Sequence, residues 1–171
     1  MNSKIRDEAP AEVTAIHALN AAVFETDAEA RLVDALRCNG RLLLSLVAME
    51  GATMVGHIAF SPVEITRPDG SVVVGIGLGP MAVLPARQRC GIGTRLVRIG
   101  LDRLRAERYP FCVVLGHPHY YPRFGFERAS RFGIRWEREV REELFFVLEL
   151  TRGALQDVSG AVSYAPEFAI V

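Results

Sequence analysis

Gln88-Arg89-Cys90-Gly91-Ile92-Gly93-Thr94 separates an apolar run that ends at Val83 from an amphipathic stretch that predicts a helix over residues 91–108. The first N–H groups of a helix have no intrahelical partners, and the helix dipole favours an anion at that end. Glycines at Gly91 and Gly93 would let a phosphate group approach the backbone closely. The stretch therefore predicts a phosphate-binding turn at the start of a helix.

Three arginines close to this turn, Arg87, Arg89 and Arg95, add positive charge in a form that suits phosphate oxygens. The alternative interpretation is a glycine-rich helix start with solvated arginines. Spacing excludes two nucleotide motifs. A P-loop needs a lysine that this turn lacks, and the dinucleotide fingerprint needs a third glycine and a following acidic residue.

Length and composition predict one ordinary globular domain over residues 1–171, because the chain has 171 residues, 50% of them hydrophobic and 23% charged. Twenty basic and 20 acidic residues balance, which argues against nucleic acid or an anionic membrane as a partner. Cys38, Cys90 and Cys112 have no metal-type spacing, so we expect reduced thiols, a cytoplasmic location and no metal site. The sequence shows no signal peptide and no apolar run of about 20 residues.

The remaining pattern predicts an α/β (α+β) fold with a mixed sheet. Apolar spacing predicts helices over residues 11–24 and 27–37, the second capped by Asp27. Strands are predicted over 42–49, over 53–65 with a break at Pro62, and over 71–83, as an antiparallel meander. A central buried strand over 111–115 follows, then a hairpin-like pair over 132–136 and 144–150 and a surface tail after Gly153.

The third strand of the meander is irregular. Gly75, Gly77, Gly79 and Pro80 lie inside it, and glycine and proline are tolerated in a strand where it bulges or where another group approaches its backbone. We therefore predict a bulge near Gly79-Pro80.

Two motifs in the correct order resemble the GNAT superfamily of N-acetyltransferases. The first is Gln88-x-x-Gly91-x-Gly93 after Met81-Ala82-Val83, and the second is Tyr120-Tyr121-Pro122-Arg123-Phe124-Gly125-Phe126, with a tyrosine four residues before Gly-Phe. The run 116–121 and the tail, 153–155 to 164–166, resemble one bacterial subgroup of that family, the YhbS-like predicted acetyltransferases. The resemblance extends over nearly the whole chain. It implies a mostly antiparallel mixed sheet with splayed central strands, flanked by helices.

The resemblance also implies an activity: direct transfer of an acyl group from acyl-CoA, most simply acetyl-CoA, to an amine of a small molecule or protein. The pantetheine arm would pair with the backbone of Met81 and Val83, and a nearby N–H would polarise the thioester carbonyl. The implied cofactor-binding residues are Met81, Ala82, Val83, Gln88, Arg89, Cys90, Gly91, Ile92, Gly93, Thr94 and Phe124. Cys90 is interpreted either as a small filler in the turn or as a reactive thiol.

Tyr121 matches the tyrosine that gives a proton to the departing CoA sulfur in this family. The alternative is an aromatic wall packed on Phe124, and the adjacent Tyr120 is the competing hydroxyl. Many relatives carry a glutamate as base on the strand equivalent to 71–83, but here that strand has no acidic residue. His57 is predicted to be structural. Five other side chains are candidates for the base: His117, His119, Glu25, Asp27 and Glu29.

Rival functions stay open at this level. A non-catalytic acyl-CoA-binding domain would retain the turn without an acceptor site, and an interaction module would bind no CoA. The resemblance implies a monomer or a homodimer. The first helices and the loops over 66–71 and 116–123 would select the acceptor. The sequences of these segments do not identify which amine that is.

Overall fold

Nine strands form one mixed sheet in the computed structural model, which describes residues 3–171. They are β1 (Lys4–Asp7), β2 (Leu44–Glu50), β3 (Thr53–Thr66), β4 (Val72–Val83), β5 (Phe111–Leu115), β6 (Glu127–Arg128), β7 (Ile134–Trp136), β8 (Phe145–Glu149) and β9 (Gly160–Tyr164). The order across the sheet is β1-β2-β3-β4-β5-β8-β6, and β9 pairs with β3 and β7. The β4–β5 and β7–β9 pairs are parallel, whereas β1–β2, β2–β3, β3–β9, β5–β8 and β6–β8 are antiparallel. The predicted mixed, mostly antiparallel sheet is confirmed.

Three α-helices accompany the sheet within the described residues: α1 (Val13–Val23), α2 (Ala28–Cys38) and α3 (Ile92–Ala106). Their bounds agree with the predicted ones to within about two residues, which is the usual uncertainty of helix ends. Helix α3 carries Arg103 and Arg105 in its last turn, where positive charge complements the helix dipole.

The prediction that the Asp27 side chain caps α2 is wrong. Asp27 occupies the N-cap position but makes no capping hydrogen bond, and its carboxylate pairs with Arg31 at 3.2 Å. The backbone at Asp27, with φ −86° and ψ 7°, is not in the extended conformation typical of a capping residue. Thr26 accepts the hydrogen bond of the Ala28 N–H instead, at 3.3 Å.

Strand β3 continues through Pro62, so the predicted break is also wrong. Leu44 to Glu50 of β2 pair with β3 as far as Phe60, and β9 pairs with β3 from Val63 onward. Pro62 lies between these two pairings, in the stretch of β3 where the partner strand changes from β2 to β9.

The chain divides into two compact units. The first comprises the described residues up to Ser61, Gly79–Leu101 and Pro166–Val171, and the second comprises Pro62–Leu78 and Asp102–Ala165. A buried cluster of the first unit contains Ile16, Val33, Val47 and Ala59. The cluster of the second unit is larger and consists of Val63, Ile65, Phe111, Val113, Ala129, Ile134, Phe145, Val147, Leu155, Val158 and Val162.

The end of the chain differs from the predicted hairpin and surface tail. Strand β8 pairs with β5 and β6, and β7 pairs with β9 in the register Ile134↔Gly160 to Trp136↔Val162. Val162 is completely buried. The tail therefore returns as β9 into the second unit, because it can pair with β3 on one side and with β7 on the other.

His57 on β3 belongs to a buried polar chain in the first unit. Asn20 Nδ2 donates to His57 Nδ1 at 3.1 Å, so His57 Nε2–H donates to Ser45 Oγ at 3.0 Å. The Ser45 hydroxyl donates to the Glu8 carboxylate, which also accepts two hydrogen bonds of 2.9 Å from Arg37. Burial lowers the pKa of His57 to about 4, with the Arg37 charge adding to it and the Glu8 charge opposing it. His57 is therefore neutral at pH 7 and has a structural role, as predicted.

This histidine predicts a loss of stability in acid. Above pH 6.5 it is neutral whether the chain is folded or unfolded, and between 6.5 and about 4 only the unfolded chain binds the proton. The free energy of unfolding should therefore fall by up to about 3 kcal/mol over this window through His57 alone. Urea unfolding of the wild type and of His57→Gln from pH 7.5 to 4.5 measures the difference. Equal losses in the two proteins would contradict the assignment.

Candidate active site

The turn over residues 88–93, called the anion turn below, lies between a short 3-10 helix, Pro85–Arg87, and the first residues of α3. Arg89 and Gly91 both have left-handed backbone, with φ of 60° and 82°. A Cβ placed on Gly91 would meet no atom within 4 Å. Gln88 Nε2 donates to the Val83 carbonyl at 3.1 Å, which ties the turn to the end of β4. An exposed turn with open space over its central glycine therefore precedes α3.

The other predicted cofactor residues of the first unit lie on either side of this turn. On β4, Ala82 is buried whereas Met81 and Val83 are half-buried. In the first turn of α3, Ile92 is buried and Gly93 and Thr94 are half-buried. The side chains of Ala82 and Ile92 thus serve the core, and only their backbone could contact a ligand.

The three arginines near the turn have different surroundings. Arg87 pairs with Glu50 at 2.8 Å, so part of its charge is neutralised. Arg95 donates to Ser3 Oγ at 2.9 Å. Arg89 is exposed, and residues 3–171 provide it with no ion-pair partner. Arg95 also keeps its charge, because a serine hydroxyl is neutral. Arg89 is the exposed arginine of the three.

The two cysteines nearest the predicted chemistry also differ. Cys90 is exposed in the anion turn, so its position is compatible with both interpretations of its role. Cys112 is completely buried on β5, and burial raises the pKa of its thiol far above the ordinary value. Cys112 therefore stays protonated and unreactive.

Tyr121 begins the 3-10 helix Tyr121–Phe124 and is only 7% exposed. Its ring packs edge-on against Phe126 at 5.7 Å and lies 6.5 Å from the Phe146 ring. Burial raises the pKa of the Tyr121 phenol, and nearby Tyr120 and Cys112 add to the effect. The phenol is protonated at neutral pH with or without this shift, because the ordinary pKa of tyrosine is already about 10.

Tyr120, the competing hydroxyl, is held differently. It is half-buried, and the Arg123 guanidinium lies 4.1 Å from its ring centroid. Phe124 packs against Tyr120 at 5.3 Å. The alternative role of Tyr121, an aromatic wall on Phe124, is changed in its partners, because Phe124 packs on Tyr120 and Tyr121 packs against Phe126 and Phe146.

The candidate bases lie in both units. His117 and His119 are exposed in the loop after β5, and Glu25 and Asp27 are exposed before α2. Glu29 is half-buried in the first turn of α2, and its Oε2 has no hydrogen-bond partner among the described residues. Glu29 is the acid of this group with an unsatisfied buried oxygen.

The tail makes an aromatic contact with β4 that the sequence did not predict. Tyr164, at the end of β9, is half-buried and packs edge-on against Trp136 at 5.5 Å. A Cβ on Gly77 of β4 would lie 2.6 Å from Tyr164 Cε1, so glycine is required there by the aromatic ring. The alternation in Gly160-Ala161-Val162-Ser163-Tyr164 was the available signal for this strand.

Comparison with known proteins establishes the family. The family profile described as an acetyltransferase (GNAT) domain matches residues 4–129. The uncharacterized N-acetyltransferase YhbS of Escherichia coli K12 is 39% identical over 165 residues, which cover 96% of this chain and 97% of YhbS. The chain belongs to the GNAT family. It is therefore an acyltransferase, and the resemblance to the YhbS-like subgroup is confirmed.

Two solved structures of GNAT proteins have the same fold. E. coli YhbS, crystallised with CoA, superposes with a TM-score of 0.92 at 38% identity, over 99% of this chain and 93% of that one. A Brucella melitensis GNAT acetyltransferase, crystallised with acetyl-CoA, gives a TM-score of 0.80 at 37% identity over 98% of both chains. The expected GNAT fold is confirmed.

Two further observations concern other classes of site. Within the described part of the chain, His, Cys, Asp and Glu side chains form no group of three suited to a metal ion. None of the helices in residues 3–171 combines the length and apolar character needed to cross a membrane.

Proposed function

We propose that residues 1–171 act as a single N-acyltransferase domain that uses acetyl-CoA and passes its acyl group directly to an amine of a small molecule or a protein. The open anion turn at the start of α3 carries this proposal. It presents a left-handed glycine with free space over it, an exposed arginine, and the positive end of a helix dipole. The CoA and acetyl-CoA in the two similar structures support the same ligand.

The residues of the first unit would divide the binding work. The backbone at Gly91 and Gly93, with the Arg89 guanidinium, would hold the pyrophosphate, while Gln88 keeps the turn against β4. Exposed Cys90 and half-buried Thr94 would border it. The backbone of Met81, Ala82 and Val83, which follows the β4–β5 pairs at Ile76 and Gly77, would receive the pantetheine arm. Phe124 is the remaining proposed cofactor contact.

Tyr121 would supply the chemistry from the protein side. Acetyl-CoA provides a thioester. Its sulfur leaves more readily when a proton is given to it. Tyr121 holds such a proton at neutral pH, as does any tyrosine with the ordinary pKa of about 10, and burial raises its pKa further. General-acid help of this kind typically contributes about 10²–10⁴-fold.

The proposal is tested by a binding measurement followed by an activity measurement. Acetyl-CoA should raise the melting temperature of the protein, and added amines should then release free CoA thiol. The amine panel should include putrescine, benzylamine and a lysine-containing peptide. A thermal shift without thiol release on a broad panel would indicate a non-catalytic acyl-CoA-binding domain, and the absence of any shift at high acetyl-CoA would exclude the acyl-CoA site.

We further propose a bacterial cytoplasm as the setting. The similar proteins come from Escherichia coli and Brucella melitensis, and all three cysteines are free, as expected for a reducing compartment. Light scattering in solution distinguishes the two proposed states, monomer and homodimer.

A further inference from the structure

A cavity of about 350 Å³, called the β7 cavity below, lies beside β7, the start of β8 and the segment that connects them. All of its lining residues belong to the second unit. Sites for small molecules in proteins typically have volumes of about 300–1,000 Å³. The β7 cavity is therefore large enough for a small organic molecule and is formed within one unit.

The floor of the β7 cavity is apolar. Ile134 and Phe145 are buried there, and Trp136 and Val140 are half-buried. The rings of Trp136 and Phe145 are stacked with 6.3 Å between their centroids, which fixes the plane of the indole. The buried Trp136 Nε1–H has no acceptor within the residues that the structure describes. The floor therefore suits an apolar side chain, and Trp136 carries a donor that an oxygen-bearing ligand could satisfy.

The rim of the same cavity carries charges of both signs. Arg135, Glu139 and Glu142 line the cavity and are exposed. Their side chains have no hydrogen-bond or ion-pair partner in residues 3–171. A guanidinium suits a carboxylate of a ligand, and carboxylates suit an ammonium group. These three unpaired rim charges therefore match a ligand that is itself charged with both signs.

Two further charged residues of the lining are engaged within the protein. Glu137 accepts a hydrogen bond of 2.7 Å from Ser163 Oγ on β9. The Arg138 guanidinium lies 5.4 Å from the centroid of the Trp136 ring, within the range of a cation–π contact. Both residues thus support the walls of the cavity, and the unpaired rim charges are the ones left for a ligand.

We propose that the β7 cavity binds a free α-amino acid with an apolar side chain. The Arg135 guanidinium would hold the α-carboxylate, and Glu139 and Glu142 would hold the α-ammonium group. The side chain would lie on the apolar floor, on Trp136 and Val140. The inference is independent of the acyltransferase proposal, because it concerns the second unit alone and its test contains no acetyl-CoA.

The test uses the fluorescence of Trp136, the only tryptophan of the chain and a lining residue of the cavity. L-Phenylalanine, the probe, is titrated into the intact protein, and we expect a saturable change in the tryptophan emission. Three analogues each remove one feature: glycine lacks the apolar side chain, phenethylamine lacks the carboxylate, and phenylpropionate lacks the ammonium group. Each should bind at least about five-fold more weakly than phenylalanine.

Charge variants locate the bound amino acid. Arg135→Gln should weaken phenylalanine binding about five-fold, and so should the double variant Glu139→Gln with Glu142→Gln. All three side chains are exposed, so the melting temperature should stay close to that of wild type. Arg152→Gln and Glu107→Gln are the matched controls, because they remove the same charges from exposed residues outside the lining. Both controls should keep the wild-type affinity.

Three results would overturn the inference. The first is no binding of phenylalanine to the wild type, by fluorescence and by titration calorimetry. The second is phenethylamine or phenylpropionate binding as tightly as phenylalanine, because the cavity would then recognise one charge only. The third is unchanged affinity in both Arg135→Gln and the double variant, which would place the amino acid elsewhere. None of these results bears on acyl transfer, so the proposed function is tested separately.

Discussion

Replacing Gly91 by glutamate is expected to weaken acetyl-CoA binding by more than about 100-fold. The new side chain would enter the open space over the anion turn and bring a negative charge to the phosphates. Gly91 also has φ of 82°, a conformation that is unfavourable for other residues by about 1–2 kcal/mol. Titration calorimetry of the purified variant with acetyl-CoA measures the loss.

Gly153→Glu is the control for the backbone contribution. Gly153 has the same φ of 82°, and a Cβ on it would likewise meet no atom within 4 Å. It follows β8 and lies outside the anion turn. The control variant should lose similar stability and keep its acetyl-CoA affinity. If Gly91→Glu also keeps its affinity, the pyrophosphate binds elsewhere.

Replacing Tyr121 by phenylalanine should lower kcat by about 10²–10⁴-fold and leave acetyl-CoA affinity unchanged. The change removes the proton donor but keeps the ring that packs on Phe126 and Phe146. Removing the proton should slow the departure of the sulfur without disturbing the fold. Steady-state rates of thiol release, with acetyl-CoA affinity measured separately, test both parts.

Tyr120→Phe is the matched control, because it removes the neighbouring phenol oxygen from a half-buried ring stacked by Arg123. We expect its kcat to remain within a few-fold of wild type. A large loss in Tyr120→Phe, together with normal turnover in Tyr121→Phe, would exchange the roles of the two tyrosines.

Local pattern was sufficient for most of the elements. Apolar spacing in α1, α2 and α3 predicted all three helices, and the apolar run of β5 predicted a central strand. These predictions succeeded because the apolar residues that form the buried face of an element recur along the sequence with the period of that element. The two-residue β6 was missed, because so short a segment carries no repeat.

Two of the wrong predictions share a physical cause. The break at Pro62 and the hairpin of β7 with β8 both depend on which distant segment supplies the partner strand, and here β9 does so. Propensity does not contain that information. The cap at Asp27 is wrong for a local reason, because the backbone angles of Asp27 are not those of a capping residue.

By itself the sequence indicated the family, predicted a phosphate-binding turn before α3 and favoured Tyr121 over Tyr120 as the proton donor, because glycine spacing, helix onset and the late tyrosine motif are local features. Only the tertiary structure decided that Arg87 is paired with Glu50, that Tyr121 rather than Tyr120 is buried, and that Tyr164 covers Gly77. Those facts depend on contacts between segments far apart in the chain. The reason is that burial and charge pairing arise only when the sheet brings such segments together.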